Sequence, residues 1–131
     1  MFEYKTIVHM HDVDAAGVIF FSNVLKLAHD CYEAFLTSKG LSIQKILTQK
    51  KYVIPIVHGE VNLLKPLVLS MQLSIGIKKI EISKHSFSLT YQFIEVDSKQ
   101  LLSECKTTHV TIDKKTGKKI ELPQEIVKTL T

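Results

Sequence analysis

The chain has 131 residues, 45% of them hydrophobic, and a formal net charge of +4 from 17 basic and 13 acidic side chains. That length and composition predict one compact domain over residues 1–131, and they exclude a disordered tail; no apolar run approaches the ~20 residues that cross a bilayer, so no membrane partner is expected. All 17 basic side chains are lysine, which removes the bidentate arginine readers of nucleic acid, and the modest positive excess suits an anionic small ligand equally well, so charge alone decides little.

From the N-terminus, residues 2–11 alternate Phe2, Tyr4, Thr6, Val8 and Met10 against Glu3, Lys5, Ile7, His9 and His11, the period of a strand with one buried face. Met1 to Lys5 has no signal-peptide architecture. A turn follows at Asp14-Ala15-Ala16-Gly17, and Ser22 is placed to cap a helix over residues 22–39. Val24, Leu27, Ala28, Cys31, Tyr32, Phe35 and Leu36 make its apolar stripe, and Gly40 ends it. Residues 42–49 predict a short second helix. Strands are expected over 52–64, 68–82, 85–96 and 101–112, with hairpin turns at Asp97-Ser98-Lys99-Gln100 and Lys114-Lys115-Thr116-Gly117. Pro55 and Pro66 belong at strand ends, edges or bulges, and Pro123 opens a short terminal helix. One long helix and an antiparallel meander make the class α+β.

The chemistry concentrates at residues 11–23, His-Asp-Val-Asp-Ala-Ala-Gly-Val-Ile-Phe-Phe-Ser-Asn. Asp14 lies on a small-residue turn just ahead of a helix whose first amides have no intrahelical partner. A carboxylate beside such donors can attack a carbonyl, or activate water to do so, while the donors hold its oxygen. The alternative is an Asp turn that only starts the helix. Cys31 falls on the apolar stripe and reads as core; two cysteines make no disulfide framework, so reduced thiols and a cytoplasmic location are expected. No metal-ligand spacing is visible, and no cofactor is expected. Ser22 has no nucleophile elbow or triad order around it.

The same residues carry a resemblance. Asp12-x-Asp14-x-x-Gly17, two hydrophobic residues, two aromatics and Asn23 after one more residue resemble the active-site signature of hotdog-fold thioesterases of the 4-hydroxybenzoyl-CoA type. Residues 29–34, 41–44, 55–58 and 107–110 extend the likeness nearly end to end. Within that family they resemble the 1,4-dihydroxy-2-naphthoyl-CoA hydrolases most.

The resemblance implies a curved antiparallel sheet wrapped around the long helix, which it allows to begin a residue or two before Ser22; it also implies an acyl-CoA substrate and a site built between protomers of a homodimer or homotetramer. It makes Asp14 the catalytic carboxylate, as nucleophile or general base, and leaves Asp12 to shape the turn or sit at the surface. Gly17 belongs to the substrate turn. The backbone N–H of Phe21 would hold the thioester oxygen, Phe being a departure from the Tyr common there; one of Phe20 and Phe21 is expected in the core. His29 would face a ring hydroxyl of the acyl group, or face solvent. His58 lines the same pocket or is a satisfied strand histidine. Lys84, His85 and Ser86 match positions that contact CoA phosphates, with Lys78 and Lys79 adding charge, against the alternative of solvated strand-end lysines. Lys114, Lys115, Lys118 and Lys119 read as a solvated turn. Hydrolysis of an aromatic acyl-CoA, 1,4-dihydroxy-2-naphthoyl-CoA above others, on the way to phylloquinone or menaquinone is the activity implied. The rivals are a thioesterase for other aroyl or short acyl groups and a non-catalytic acyl-binding protein of the same fold.

Overall fold

The computed structural model describes residues 1–131. The elements are β1 (Glu3–Ile7), α1 (Phe21–Ser38), α2 (Ile43–Gln49), β2 (Tyr52–Val53), β3 (Ile56–Leu63), β4 (Gln72–Ile82), β5 (Ser86–Glu95), β6 (Leu101–Asp113), β7 (Lys119–Ile120) and α3 (Gln124–Leu130), with a single 3-10 turn at Met10–Asp12. All seven residues of the expected stripe on α1 are buried, as helical spacing requires. Gly40 takes φ +81; its amide and that of Leu41 bond back to Thr37 and Leu36, which closes the helix.

The stripe packs on an antiparallel sheet of seven strands in the order β1-β4-β5-β6. Beyond β6, β3 pairs with Ser103–His109 and β2 with Ile112–Asp113, while β7 takes the other side of Thr111 and Ile112. Leu73, Ile75 and Ile77 of β4 and Phe87, Leu89, Tyr91 and Phe93 of β5 supply the sheet's share of the core. This is the α+β arrangement expected, one long helix enclosed by an antiparallel sheet. β3 has β6 on one side only, so its other edge is free.

Several boundaries differ from the expectation, each for a local reason. The first strand stops at Ile7, because the Asp12 amide donates to the His9 carbonyl and the chain turns. The strand expected over 52–64 is two strands, broken at Pro55; its carbonyl still accepts from the Val110 amide, and the register slips between Ile56 and His58. The strand expected from 68 begins at Gln72, since Leu67 and Leu69 bond to Ile19 and Gly17 instead. Ser22 is not the cap of α1: the helix starts at Phe21, after Phe20 in extended conformation. Lys114 is not simply solvated. Its ammonium donates to the carbonyls of Ile46 and Leu47 at 3.3 and 2.6 Å, at the negative end of α2.

Candidate active site

The turn ahead of α1 is a small hairpin. Val13 bridges to Ile19 and Val18 to Val68; the Asp14 amide donates to Val18 O at 2.9 Å, and the Gly17 amide to Asp14 O at 3.0 Å. Gly17 sits at φ +77, and a Cβ there would touch nothing within 4 Å, so the turn conformation rather than crowding calls for glycine. Asp14 Oδ1 accepts from the amides of Ala16 (2.8 Å) and Val18 (3.2 Å). Its other oxygen accepts no bond from the chain, and the residue is exposed. One oxygen holds the carboxylate in place and the other is available.

Asp12 faces the opposite way. It is 1% exposed, so the surface reading is excluded and the turn-shaping one holds. Oδ2 accepts from the His9 amide at 2.9 Å and Oδ1 from Lys26 Nζ at 3.3 Å, while the Asp12 carbonyl accepts from the Phe20 amide and Asn23 Nδ2. Burial pushes the carboxyl pKa up, but the His9 amide, the Lys26 ammonium and the nearby His11 outweigh it and hold the pKa below the ordinary value. His9, His11 and Asp12 bring ligand atoms within 4.8 Å of one another, yet this carboxylate is already committed to Lys26 and the His9 amide.

The amides of Phe21 and Ser22, first in α1, have no acceptor in the chain, and no side chain caps the helix. Eighteen residues of aligned peptide dipoles end there, beside the Asp14 turn. Contrary to the expectation that one of the two phenylalanines is core, Phe20 and Phe21 are both 56% exposed. With Met10, Val68 and Leu69 they form an apolar rim around the turn.

Two turns further along α1, half-buried His29 meets the Tyr32 ring edge-on at 5.4 Å and lies 4.0 Å from Glu33. One turn below it, Leu25 lies against Gly59, where a Cβ would meet both Leu25 methyls at 3.4 Å. Leu25, Ile56, Val57, His58, Gly59 and Thr107 line an open groove of about 290 Å³ between α1 and β3. His58 is an exposed strand histidine that lines this groove, with Nε2 3.6 Å from Glu60; neither His29 nor Asp14 is among the lining residues.

Lys84, His85 and Ser86 cluster at the tip between β4 and β5. Lys84 Nζ lies 3.4 Å from Glu121, Lys84 O accepts from the Leu122 amide, and Ser86 Oγ is 2.7 Å from Ser83 Oγ. Lys78 and Lys79 face Glu104 and Glu81 instead. In β6 register the tip pairs at Val110, whereas the Asp14 turn joins the chain that follows Leu64 and Lys65, both bonded to Leu102. The two therefore occupy opposite ends of the sheet, separated by the 10 residues of β5, about 30 Å of extended chain. One chain does not bring them together.

Sequence reasoning did not assign the groove residues Leu25 and Thr107, nor Tyr32 and His109 behind them. A signal existed: Ser103, Cys105, Thr107, His109 and Thr111 recur at period two on the inward face of β6, a polar row in a core position. Tyr91 Oη, Thr107 Oγ1 and His109 Nε2 form a buried chain with spacings of 2.9 and 2.8 Å. Burial, and then the nearby His29, push the His109 pKa down to about 3, so its ring is neutral. Burial likewise pushes the Cys31 thiol up to about 12, and Cys31 is core as expected.

A family model for the thioesterase-like superfamily matches residues 8–130. A 1,4-dihydroxy-2-naphthoyl-CoA hydrolase from Synechocystis sp. is 33% identical over 123 residues, 94% of this chain and 89% of the relative. One from Nostoc punctiforme is 34% identical over 129 residues, 98% and 86% of the two chains. The crystal structure of a 1,4-dihydroxy-2-naphthoyl-CoA thioesterase from Synechocystis superposes with a TM-score of 0.92 at 32% identity, covering 98% of this chain and 94% of that one. On the matched model, the identity across nearly the whole length and the shared fold, the chain belongs to the thioesterase-like superfamily.

Proposed function

We propose that the protein is a single-domain acyl-CoA thioesterase that hydrolyses an aromatic acyl-CoA, with 1,4-dihydroxy-2-naphthoyl-CoA as the substrate. The observation that carries this is the free Asp14 Oδ2 on the hairpin that leads directly into α1, whose first two amides are unpaired. The Phe21 N–H accommodates the thioester oxygen and the growing negative charge at the helix N-terminus. The Asp14 carboxylate adds to the carbonyl carbon directly, or takes a proton from a water that adds. The C–S bond then breaks and CoA thiolate leaves and is protonated; the direct route leaves an Asp14–acyl anhydride that water cleaves to restore the carboxylate and release the acid, whereas the water route gives the free acid at once. Both routes need the same free oxygen and the same donors. Thiol release from a panel of acyl-CoAs tests the reading: hydrolysis of the dihydroxynaphthoyl ester above aliphatic esters is expected, and no hydrolysis of any would leave a binding protein. The unpaired thiols of Cys31 and Cys105 support a cytoplasmic location.

The working unit we infer is at least a dimer. β3 is an eight-residue edge strand, exposed along nearly all its length, with Ile56, Val57 and Leu63 uncovered. Two copies joined antiparallel along this edge reverse the sheet ends, which sets the Lys84 tip of one copy on the side of the other's Asp14 turn. The acyl end and the nucleotide end of one substrate can then be held by different copies. Sedimentation at micromolar concentration should give a dimer or tetramer; an active monomer would overturn the inference.

Lys84 then contacts a CoA phosphate after leaving Glu121. Lys84→Ala should raise KM severalfold and change kcat little, because a contact far from the carbonyl binds ground and transition states alike. The effect should shrink as salt rises. An unchanged KM at low ionic strength would move the CoA tail elsewhere.

His29 is read as the partner of a ring hydroxyl. His29→Ala should cost more kcat/KM with a hydroxylated aroyl-CoA than with the same ring lacking the hydroxyl, by about 1–3 kcal/mol, since only the former loses a bond. Both substrates measured in both proteins close the cycle. A coupling near zero would return His29 to solvent and leave Asp14 untouched.

A further inference from the structure

Tyr32 Oη and His109 Nδ1 are buried and have no hydrogen-bond partner. They belong to neighbouring rings, 4.4 Å apart and tilted by 39°. With no hydrogen bond at its Oη, the Tyr32 ring is placed by packing against its neighbours, and His109 by that packing together with its one bond through Nε2. The stack is longer than the pair. Phe87 lies flat on His109 at 4.7 Å and 2°, and on the other side Tyr32 meets His29 at 5.4 Å. Phe87 also meets Tyr32 at 6.4 Å, so Phe87, His109 and Tyr32 form a three-ring cluster in the core between α1, β5 and β6, with His29 on its half-buried edge. His109 is also tied through Nε2 to Thr107, which lines the groove. It therefore stands one residue behind two parts of that region at once: His29 through Tyr32, and the groove wall through Thr107.

A half-buried histidine on a helix has two free torsions, and a hydrogen bond to a ligand hydroxyl discriminates only if the donor or acceptor is held to within about 0.5 Å. His29's one charged neighbour, Glu33 at 4.0 Å, is itself exposed and cannot supply that restraint. The aromatic cluster can. His109 itself is fully buried and neutral.

We propose that Tyr32 and His109 are positioning residues that fix His29 and Thr107 against the acyl ring and so set the enzyme's preference for a hydroxylated ring. This rests on reading His29 as the contact to the ring hydroxyl, and it adds residues that touch no substrate.

The experiment measures kcat/KM for a hydroxylated aroyl-CoA and its deoxy counterpart in the full-length wild type, His29→Ala, His109→Ala, Phe87→Leu and Tyr32→Phe, with Tm recorded for each. Ring-deleting changes should lower the hydroxyl preference at least threefold, in both His109→Ala and the milder Phe87→Leu, which keeps the test open if His109→Ala does not fold. Tyr32→Phe retains the ring and loses only an orphaned hydroxyl, so it should keep the preference within about twofold and not lower Tm. Equal losses on both substrates in the ring-deleting variants would make the cluster structural and overturn the proposal. Loss of preference in Tyr32→Phe would also overturn it, by making the hydroxyl itself the contact. If His29→Ala leaves the preference intact, it is the parent reading that fails; an altered preference in His29→Ala beside unaltered ones in His109→Ala and Phe87→Leu defeats the positioning role alone.

Discussion

Asp14→Asn lowers kcat by about 10²–10⁴-fold and leaves the fold and acyl-CoA binding in place. The expectation rests on the division of labour between the two carboxylate oxygens. Oδ1 anchors the turn by accepting from the Ala16 and Val18 amides, and an asparagine Oδ1 can accept the same two bonds. The free oxygen becomes an NH₂ group, which is neither a base nor a nucleophile at neutral pH. Each tenfold loss corresponds to about 1.4 kcal/mol of transition-state stabilisation, and KM should move far less. Asp14→Ala serves as the contrast, since it removes the anchor as well and should lower Tm. Near-wild-type turnover in Asp14→Asn would place the chemistry on another residue.

The parts of this architecture that were legible in the sequence are those with a period. The stripe of α1 was readable residue by residue because a helix on a sheet must bury every third or fourth position. Gly17 and Gly40 were readable because only a left-handed backbone fits a turn or a helix end of those shapes. Pro55 was legible as a strand end, edge or bulge, and β2 and β3 part there; that residues 52–64 make two strands and that β7 exists were not. Two-residue strands are decided by the strand beside them, and β6 is long enough to recruit both β2 and β7 past the ends of its main neighbours.

The candidate site divides in the same way. Asp14, Gly17 and Phe21 lie within eight residues, so a local motif could carry them. The exposure of Phe20 and Phe21 could not be read, because hydrophobicity alone assigns such residues to the core, whereas here they rim the turn. Ser22 misled for a related reason: its capping propensity is local, but the Asp12 carbonyl, which holds the Phe20 amide and Asn23 side chain, decides where α1 begins. Tyr32 and His109 are 77 positions apart in the chain and meet only through the packing of α1 on β6.

Asp12, two residues from Asp14 and of the same chemistry, should behave in the opposite manner: its loss is felt in stability before it is felt in turnover. Asp12→Ala leaves the His9 amide without an acceptor and the Lys26 ammonium without its carboxylate, at the point where the 3-10 turn joins α1. A destabilisation of about 1–3 kcal/mol is expected, the lower part of the range applying because Lys26 is half exposed and keeps water. Asp12→Asn keeps one acceptor for the His9 amide and should cost less. The pH dependence has a fixed sign. Because the folded-state pKa is held below the ordinary 3.8, the charged carboxylate adds stability that is fully present above that value and fades as pH falls through the lower folded value. The Tm difference between wild type and Asp12→Asn should therefore narrow as pH falls below about 4. A difference that widened below that pH would mean that burial, not the His9 and Lys26 partners, dominates the carboxyl. At the same time kcat of Asp12→Asn, measured well below its Tm, should fall far less than that of Asp14→Asn. If the two variants exchanged behaviour, the turn would present the other carboxylate to the substrate, and the free oxygen of Asp14 would have no part in the chemistry.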